Sequence, residues 1–294
     1  MIRLSPLIAA VLLMGTAAAL TAAQNTLIRF LGDSGIHPFE IAFFRCVFGF
    51  LTVAPLVVWS ERAWPRTHAA RPLAASGMFH FTAMICFFTG VTLIPLNESA
   101  ALTFAGPLFA TVGAALFLGE KVRARRWAAI VVGFIGVLIV LRPGAVPVSL
   151  GAALVLFANI SFAGVSLLVK KMSGTEKTTT VVFYQTLIVM VLTFPLALWH
   201  WKTPTSHELL LVATLGALCT AGWLCFTRAF ALADASAILP LEFTRLPFVA
   251  ILAYVVFGEV PDQWVWLGAA VIFGSTLYIA HREHLAHRRA RDKA

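Results

Sequence analysis

Ten stretches of about 20 apolar residues follow one another along this chain of 294 residues, separated by short polar gaps. A helix of that length crosses a hydrocarbon core of about 30 Å. Hydrophobic residues make up 60% of the chain and charged residues only 12%, whereas soluble domains are about a quarter charged. The runs lack the period-two alternation of barrel strands, so the sequence predicts an all-α integral membrane protein with ten transmembrane helices. The expected spans are 5–31, 37–59, 72–94, 97–118, 125–141, 148–170, 178–199, 207–232, 235–257 and 263–281.

The net charge of +9 lies in the gaps between the spans, which argues against a nucleic-acid partner. If the N-terminus is cytoplasmic, the outer gaps contain only two basic residues, Arg142 and Lys202. Because positive residues accumulate on the cytoplasmic side, both termini are expected inside, in a multi-pass protein of a bacterial inner (plasma) membrane. The inner gaps would hold Arg62, Arg66, Arg71, Lys121, Arg123, Arg125, Arg126, Lys170, Lys171 and Lys177, with a basic tail at 283–294.

The two halves of the chain resemble each other faintly but in register. Each half is expected to carry five spans, an odd number, so the second half would be inserted in the opposite orientation. The sequence therefore predicts two inverted five-helix repeats, 1–144 and 145–282. The matched landmarks are Pro55 and Trp59 with Pro195 and Trp199, Pro107 with Pro247, Gly119-Glu120 with Gly258-Glu259, and Trp127 with Trp266.

These motifs together resemble those of the drug/metabolite transporter superfamily, in its EamA-type branch of ten-span carriers. The resemblance rests on Pro38-Phe39-Glu40-Ile41-Ala42-Phe43-Phe44-Arg45, on Pro107 followed by Leu118-Gly119-Glu120, and on Leu239-Pro240-Leu241-Glu242-Phe243-Thr244-Arg245-Leu246-Pro247 followed by Gly258-Glu259. It implies a proton-coupled or gradient-driven carrier or exchanger of small metabolites, often an exporter. The second half departs from the first at Gln185, which stands where Arg45 is expected to recur.

Ionisable side chains lie at membrane depth in two of the expected spans, Arg45 in span two and Glu242 with Arg245 in span nine. Such groups are costly in a membrane and usually face a cavity or a partner. Glu242 and Arg245 are spaced i, i+3 and share one helix face, so they either neutralise each other or open to bind a zwitterion. In the second interpretation an arginine binds the carboxylate of the substrate.

Polar and aromatic residues at membrane depth extend the candidate substrate site. His80 is either a hydrogen-bonded core residue or a substrate contact. The neutral groups either bridge helices or line a cavity. The full set of substrate-binding candidates is Arg45, His80, Thr103, Asn159, Tyr184, Trp223, Glu242 and Arg245.

Pro107 and Pro247 occupy matching places in spans four and nine. A proline removes one helical hydrogen bond and kinks a helix, so the two are candidate hinges, with a static kink as the alternative. Spans five and ten are expected to pack through small residues, namely Ala129 with Gly133 and Ala270 with Gly274.

The sequence thus predicts a secondary transporter of small organic metabolites, with amino-acid export of broad specificity, aromatic side chains included, as the main hypothesis. A carrier of a nucleoside, vitamin or phosphate ester is the alternative within transport, and an intramembrane enzyme or sensor is the alternative outside it. No catalytic motif, cofactor or metal site is expected. The four cysteines, Cys46, Cys86, Cys219 and Cys225, all lie in apolar runs and show no disulfide or zinc pattern. The expected partners are the substrate and the lipid bilayer, with the chain a monomer or a homodimer.

Overall fold

A computed structural model describes residues 6–61, 67–117, 124–142, 148–172, 175–176, 178–232 and 244–291, which form eleven helices and no strand. The fourth and fifth helices are two parts of one expected span, so every expected span contains a helix. The helices are α1 (Pro6–Asp33), α2 (Pro38–Glu61), α3 (Ala70–Leu93), α4 (Leu96–Thr103), α5 (Gly106–Phe117), α6 (Ala124–Leu141), α7 (Leu150–Met172), α8 (Thr178–Trp199), α9 (Ser206–Leu232), α10 (Arg245–Phe257) and α11 (Gln263–Arg291).

The lengths and apolar composition of the described helices identify the chain as a helical, multi-pass membrane protein. Within the described ranges, six segments are long and apolar enough to cross a membrane: Ile8–Asp33, Ala70–Leu93, Leu96–Phe117, Leu150–Val169, Thr180–Trp199 and Ser206–Phe226. Shorter apolar helices cover Trp127–Leu141, Arg245–Phe257 and Gln263–Ser275. Large apolar side chains such as Phe117 and Trp199 are almost fully exposed, as lipid-facing residues are.

The main helix contacts join the first half of the chain to the second. Helix α1 packs on α9, α3 on α7, α2 on α8 and α6 on α11. One apolar cluster, which includes Ile41 and Val249, lies among α1, α2, α3, α4, α8, α9 and α10. A second cluster, which includes Leu108 and Ile272, lies among α4, α5, α6, α7 and α11.

Helices α6 and α11 approach each other through glycines. A Cβ atom on Gly136 would lie 3.0 Å from the Gly268 carbonyl oxygen, and one on Gly268 would lie 2.7 Å from that of Gly136. Spans five and ten therefore pack through small residues, as expected. The expected face of α11 is wrong, however: Ala270 is exposed and a Cβ atom on Gly274 would meet open space. Small residues recur around the whole of this helix, so spacing alone did not identify the buried face.

Span four is interrupted in its middle. Helix α4 ends at Thr103, α5 begins at Gly106, and Phe104 and Ala105 form a turn between them. Pro107 has no N–H, so the Thr103 carbonyl loses its helical donor and the helix breaks just before the proline. In span nine, Pro247 is the third residue of α10.

Two carboxylates connect the halves at opposite ends of the bundle. Glu40, near the start of α2, accepts the Lys202 N–H at 2.9 Å, in the loop before α9. Glu176, between α7 and α8, accepts the N–H groups of His68 at 2.7 Å and Ala69 at 2.9 Å, just before α3. The hydrogen bond from the His68 backbone, followed by those from Thr67 and Ala69, lowers the pKa of Glu176. Each carboxylate thus binds the loop before the third helix of the opposite half, Glu40 the loop before α9 and Glu176 the loop before α3.

Glu259 makes a further connection at the end predicted to be extracellular. It follows Gly258, which caps α10 in a left-handed conformation at φ 68°. One Glu259 oxygen lies 3.1 Å from the Arg29 guanidinium, and the other accepts the Leu96 N–H at 2.9 Å. Arg29 also donates to the Ile94 carbonyl. This group links α1, the α3–α4 junction and the loop after α10.

Candidate functional site

Arg45 lies inside the bundle between α2, α3 and α9 with two sulfur atoms as acceptors. Its Nη1 is 3.0 Å from the Met84 Sδ and its Nη2 is 2.6 Å from the Cys219 Sγ. Among the described residues no carboxylate lies within ion-pair distance of Arg45. Thioether and thiol sulfur are weak acceptors, so the guanidinium has directional partners but no counter-charge there.

His80 lies on α3, one helical turn before Met84, whose sulfur contacts Arg45. Its ring centroid lies 5.6 Å from that of Phe162 on α7. The Nδ1 atom is buried and has no hydrogen-bond partner within the described part of the chain. An unpaired polar nitrogen beside an aromatic ring is suited to a ligand contact.

A second group of candidates meets at the break in span four. Asn159, which is buried, donates its amide to the Leu102 carbonyl at 2.8 Å. Thr103 bonds back to the Ser99 carbonyl at 2.7 Å. The Arg245 guanidinium, largely buried, lies 4.5 Å from the centre of the Phe104 ring. A cation over an aromatic face at this distance is attracted to it, so the start of α10 is held against the break.

Helix α7 runs between the two groups. Phe162 touches His80, and Asn159, three residues earlier and on the same face, bonds to Leu102. The sequence-predicted residues Arg45 and His80 thus form one group and Asn159, Thr103 and Arg245 another. One helix contacts both.

Tyr184 and Trp223 each pack against another aromatic ring. Tyr184 packs its ring at 5.4 Å from Phe183 on α8. Trp223 is half exposed, stacks on Phe226 at 5.7 Å and lies one helical turn from Cys219. Glu242 lies outside the described residues.

Gln185, which matches Arg45 in the repeat, makes a contact of the same kind in the other half. Its amide nitrogen on α8 donates to the Ser76 hydroxyl on α3. Arg45 on α2 likewise donates to Cys219 on α9. Both side chains reach the third helix of the opposite half, one to an oxygen and one to sulfur.

The acceptors of Arg45 were not found from the sequence. Met84 and Cys219 read as ordinary apolar residues, and their contacts with Arg45 span 39 and 174 positions of the chain. Only a weak sequence signal pointed to Phe104, because it lies three residues before Pro107, where a helix is expected to break. In the described ranges no group of three or more His, Cys, Asp or Glu residues is placed to hold a metal ion.

Comparison with known proteins gives two matches to one family model. The EamA-like transporter family model matches residues 8–142 and again residues 149–280. A solved crystal structure superimposes with a TM-score of 0.58 at 16% identity, covering 94% of this chain and 96% of that one, which supports the fold alone.

Several transporters are similar to this chain over most of their length. An S-adenosylmethionine uptake transporter of Rickettsia conorii is 31% identical, covering 92% of each chain. A riboflavin transporter of Vibrio cholerae is 37% identical over 68% of each chain. A pseudopaline exporter of Pseudomonas aeruginosa is 28% identical, covering 79% of this chain and 82% of that one.

Proposed function

The chain belongs to the EamA-like transporter family, and we propose that it carries metabolites bearing an α-amino-acid group, with S-adenosylmethionine as the first compound to test. The amino-acid export expected from the sequence falls in this class, because amino acids carry the same carboxylate and ammonium groups. The proposed site lies around Arg45 and His80.

Arg45 carries this proposal. A guanidinium inside the bundle that has only sulfur acceptors among the described residues gains most from a ligand that brings a carboxylate. A carboxylate matches the planar fork of arginine with two parallel hydrogen bonds. The rings of Phe162, beside His80, and Trp223, one turn from Cys219, suit an adenine or an aromatic side chain.

Transport by alternating access between two inverted repeats is part of the proposal. The helix contacts support it. If α1, α2, α3 and α6 correspond to α7, α8, α9 and α11, the contact of α1 with α9 has its counterpart in the contact of α7 with α3. The other two main contacts, α2 with α8 and α6 with α11, each join a helix to its own counterpart. The two successive matches of one family model support it as well. Two arrangements of equal halves give a carrier its two states around one site. The units proposed are 1–144 and 145–282, in an inner membrane with both termini inside.

Uptake of labelled S-adenosylmethionine, phenylalanine and riboflavin into proteoliposomes tests the function. We expect flux of the first two compounds, competition between them, and a loss of about tenfold or more in Arg45→Gln, since a charge-assisted hydrogen bond is removed. Arg45→Lys, which keeps the charge, should retain more flux than Arg45→Gln. Normal amino-acid flux in a well-folded Arg45→Gln protein would contradict the carboxylate-binding role.

Riboflavin is the second candidate, because the Vibrio cholerae riboflavin transporter is similar over 68% of this chain. Riboflavin has an aromatic ring system and no carboxylate, so it would depend on the aromatic rings more than on Arg45. Riboflavin flux that survives Arg45→Gln, without flux of either amino-acid compound, would replace the first candidate by the second.

A further inference from the structure

We propose that Met84 and Cys219 are place-holding acceptors, which orient the Arg45 guanidinium in the empty site and yield it to an incoming carboxylate. The proposal has two parts. The first, that Arg45 is held by sulfur and open to anions, depends only on the geometry of this chain. The second, that the substrate displaces the sulfur atoms, rests on the proposed function.

The two sulfur atoms hold the guanidinium from two helices that each pack against α2. Met84 on α3 lies 3.0 Å from Nη1, and Cys219 on α9 lies 2.6 Å from Nη2. Met84 is buried, and its sulfur is itself 3.9 Å from that of Cys46. Cys219 is only partly buried. The position of the cation is therefore fixed on one side by a buried thioether, while the thiol side remains reachable.

Sulfur differs from oxygen as a partner for a buried cation. A carboxylate would neutralise Arg45 and hold it by charge-assisted hydrogen bonds, so a substrate anion would have to compete with it. A thiol or thioether is a weak, uncharged acceptor, and displacing it costs little. Nearly the whole free energy of the new carboxylate–guanidinium interaction is therefore available for binding the substrate.

The second half of the chain provides an internal contrast. Gln185 stands at the position that matches Arg45, and its neutral amide has a hydroxyl acceptor, Ser76, on α3. The uncharged side chain has the stronger acceptor and the charged one has the weaker acceptors. This arrangement fits a structural bond at Gln185 and an exchangeable contact at Arg45.

Thiol labelling tests the first part without any substrate. In a chain with Cys46, Cys86 and Cys225 changed to Ala, Cys219 is treated with methanethiosulfonates carrying either a sulfonate or a trimethylammonium group. The Cys219 thiolate forms a disulfide with the labelled fragment, methanesulfinate leaves, and the thiol proton goes to water. We expect the anionic reagent to be favoured, and Arg45→Gln to reduce that preference by about tenfold, the effect of one lost charge-assisted contact.

A chain that retains Cys225 as its single cysteine is the matched control. Cys225 lies on the same helix, also partly buried, and makes no contact with Arg45 in the described structure. Its reagent preference should not change in Arg45→Gln. Equal preferences for Cys219 with and without Arg45, or no reaction of Cys219 with either reagent, would overturn the proposal.

Transport of S-adenosylmethionine tests the second part with two variants of equal size. Cys219→Asp places a permanent carboxylate against Arg45, and Cys219→Asn places a neutral group there. We expect flux in Cys219→Asp to be lower than flux in Cys219→Asn by about tenfold or more. Equal flux in two monodisperse variants would contradict displacement. If the unmodified protein carries no S-adenosylmethionine, the proposed substrate fails, while the labelling result still decides the place-holding role.

Discussion

Glu40, near the start of α2, and Glu176, in the loop before α8, accept backbone N–H groups from corresponding loops of the opposite halves, at opposite ends of the bundle. Their surroundings differ, because Glu40 is 0% exposed whereas Glu176 retains contact with solvent. We expect Glu40→Ala to lower the unfolding temperature in detergent more than Glu176→Ala, since water can replace the exposed acceptor but not the buried one. Glu40→Gln, which keeps an acceptor oxygen, should lie between Glu40→Ala and the unmodified protein. Equal shifts for the two Ala variants would contradict this difference in burial.

The Arg29–Glu259 pair should contribute to stability through both oxygens of the carboxylate. Glu259→Gln removes the ion pair but keeps an acceptor for Leu96, whereas Glu259→Ala removes both. We expect Glu259→Ala to cost roughly 1–3 kcal/mol of unfolding free energy, the range for losing hydrogen bonds to a charged group, and Glu259→Gln to cost less. Chemical unfolding measures both. In a double-mutant cycle, Arg29→Gln with Glu259→Gln should cost less than the sum of the single changes, and additive costs would show that the pair is uncoupled.

Acidification should weaken the contact between His37 and His200 at the outer ends of α2 and α8. Their rings stack at a centroid distance of 3.9 Å, and the His37 Nδ1 accepts the Phe39 N–H. Burial, followed by the charge of His200, lowers the pKa of His37. The unfolded chain therefore binds the proton more readily, so the stabilisation is present above the unfolded pKa of about 6.5 and is lost as the pH falls through the lower folded value.

We expect the unfolding temperature of the unmodified protein to fall between pH 7.5 and pH 5.5 more than that of His37→Phe. Phenylalanine keeps an aromatic ring against His200 but cannot be protonated. Thermal unfolding in detergent across this range measures the difference. Parallel pH profiles for the two proteins would show that another group controls the acid response.

Pro107 and Pro247 remain candidate hinges. Alanine at position 107 would restore an N–H donor for the Thr103 carbonyl and allow α4 and α5 to join. We expect Pro→Ala at both sites to slow transport more than it weakens substrate binding. Initial rates in proteoliposomes, together with equilibrium binding to the purified variants, separate the two effects. Unchanged turnover would leave a static kink as the better account.

The predicted membrane orientation can be checked with single cysteines in a chain that lacks the four native ones. Cysteines at Ser34, Thr203 and Asp262 should react with an impermeant reagent from outside intact cells, because the ends of odd-numbered spans share one face. Cysteines at Thr67 and Thr175 should react only after the cells are opened. External labelling at either of these two sites would contradict the orientation.

Much of the fold followed from local sequence. The apolar runs predicted the helices, and Pro107 predicted the interruption of span four, because both effects act within one or two turns of the chain. The buried face of α11 did not follow, since small residues such as Gly268 and Gly274 occur on several faces and only the approach of α6 selects one.

The site was predictable in part. Charge in an apolar span identified Arg45 and Arg245, because desolvation makes such residues rare whatever surrounds them. Their partners Cys219 and Phe104 were not identified, since which apolar residue meets a cation depends on how distant helices pack. The substrate-binding role of Glu242 remains a prediction.

The glycine contact between α6 and α11 has a consequence for sequence variation in this chain. At Gly136 and Gly268 any side chain would meet the backbone of the other helix, whereas a contact between two side chains can be repaired by a compensating change in either one. No second substitution can make room in a backbone. In a library of random variants selected for folding, these two positions should therefore remain glycine while the lipid-facing residues around them vary freely.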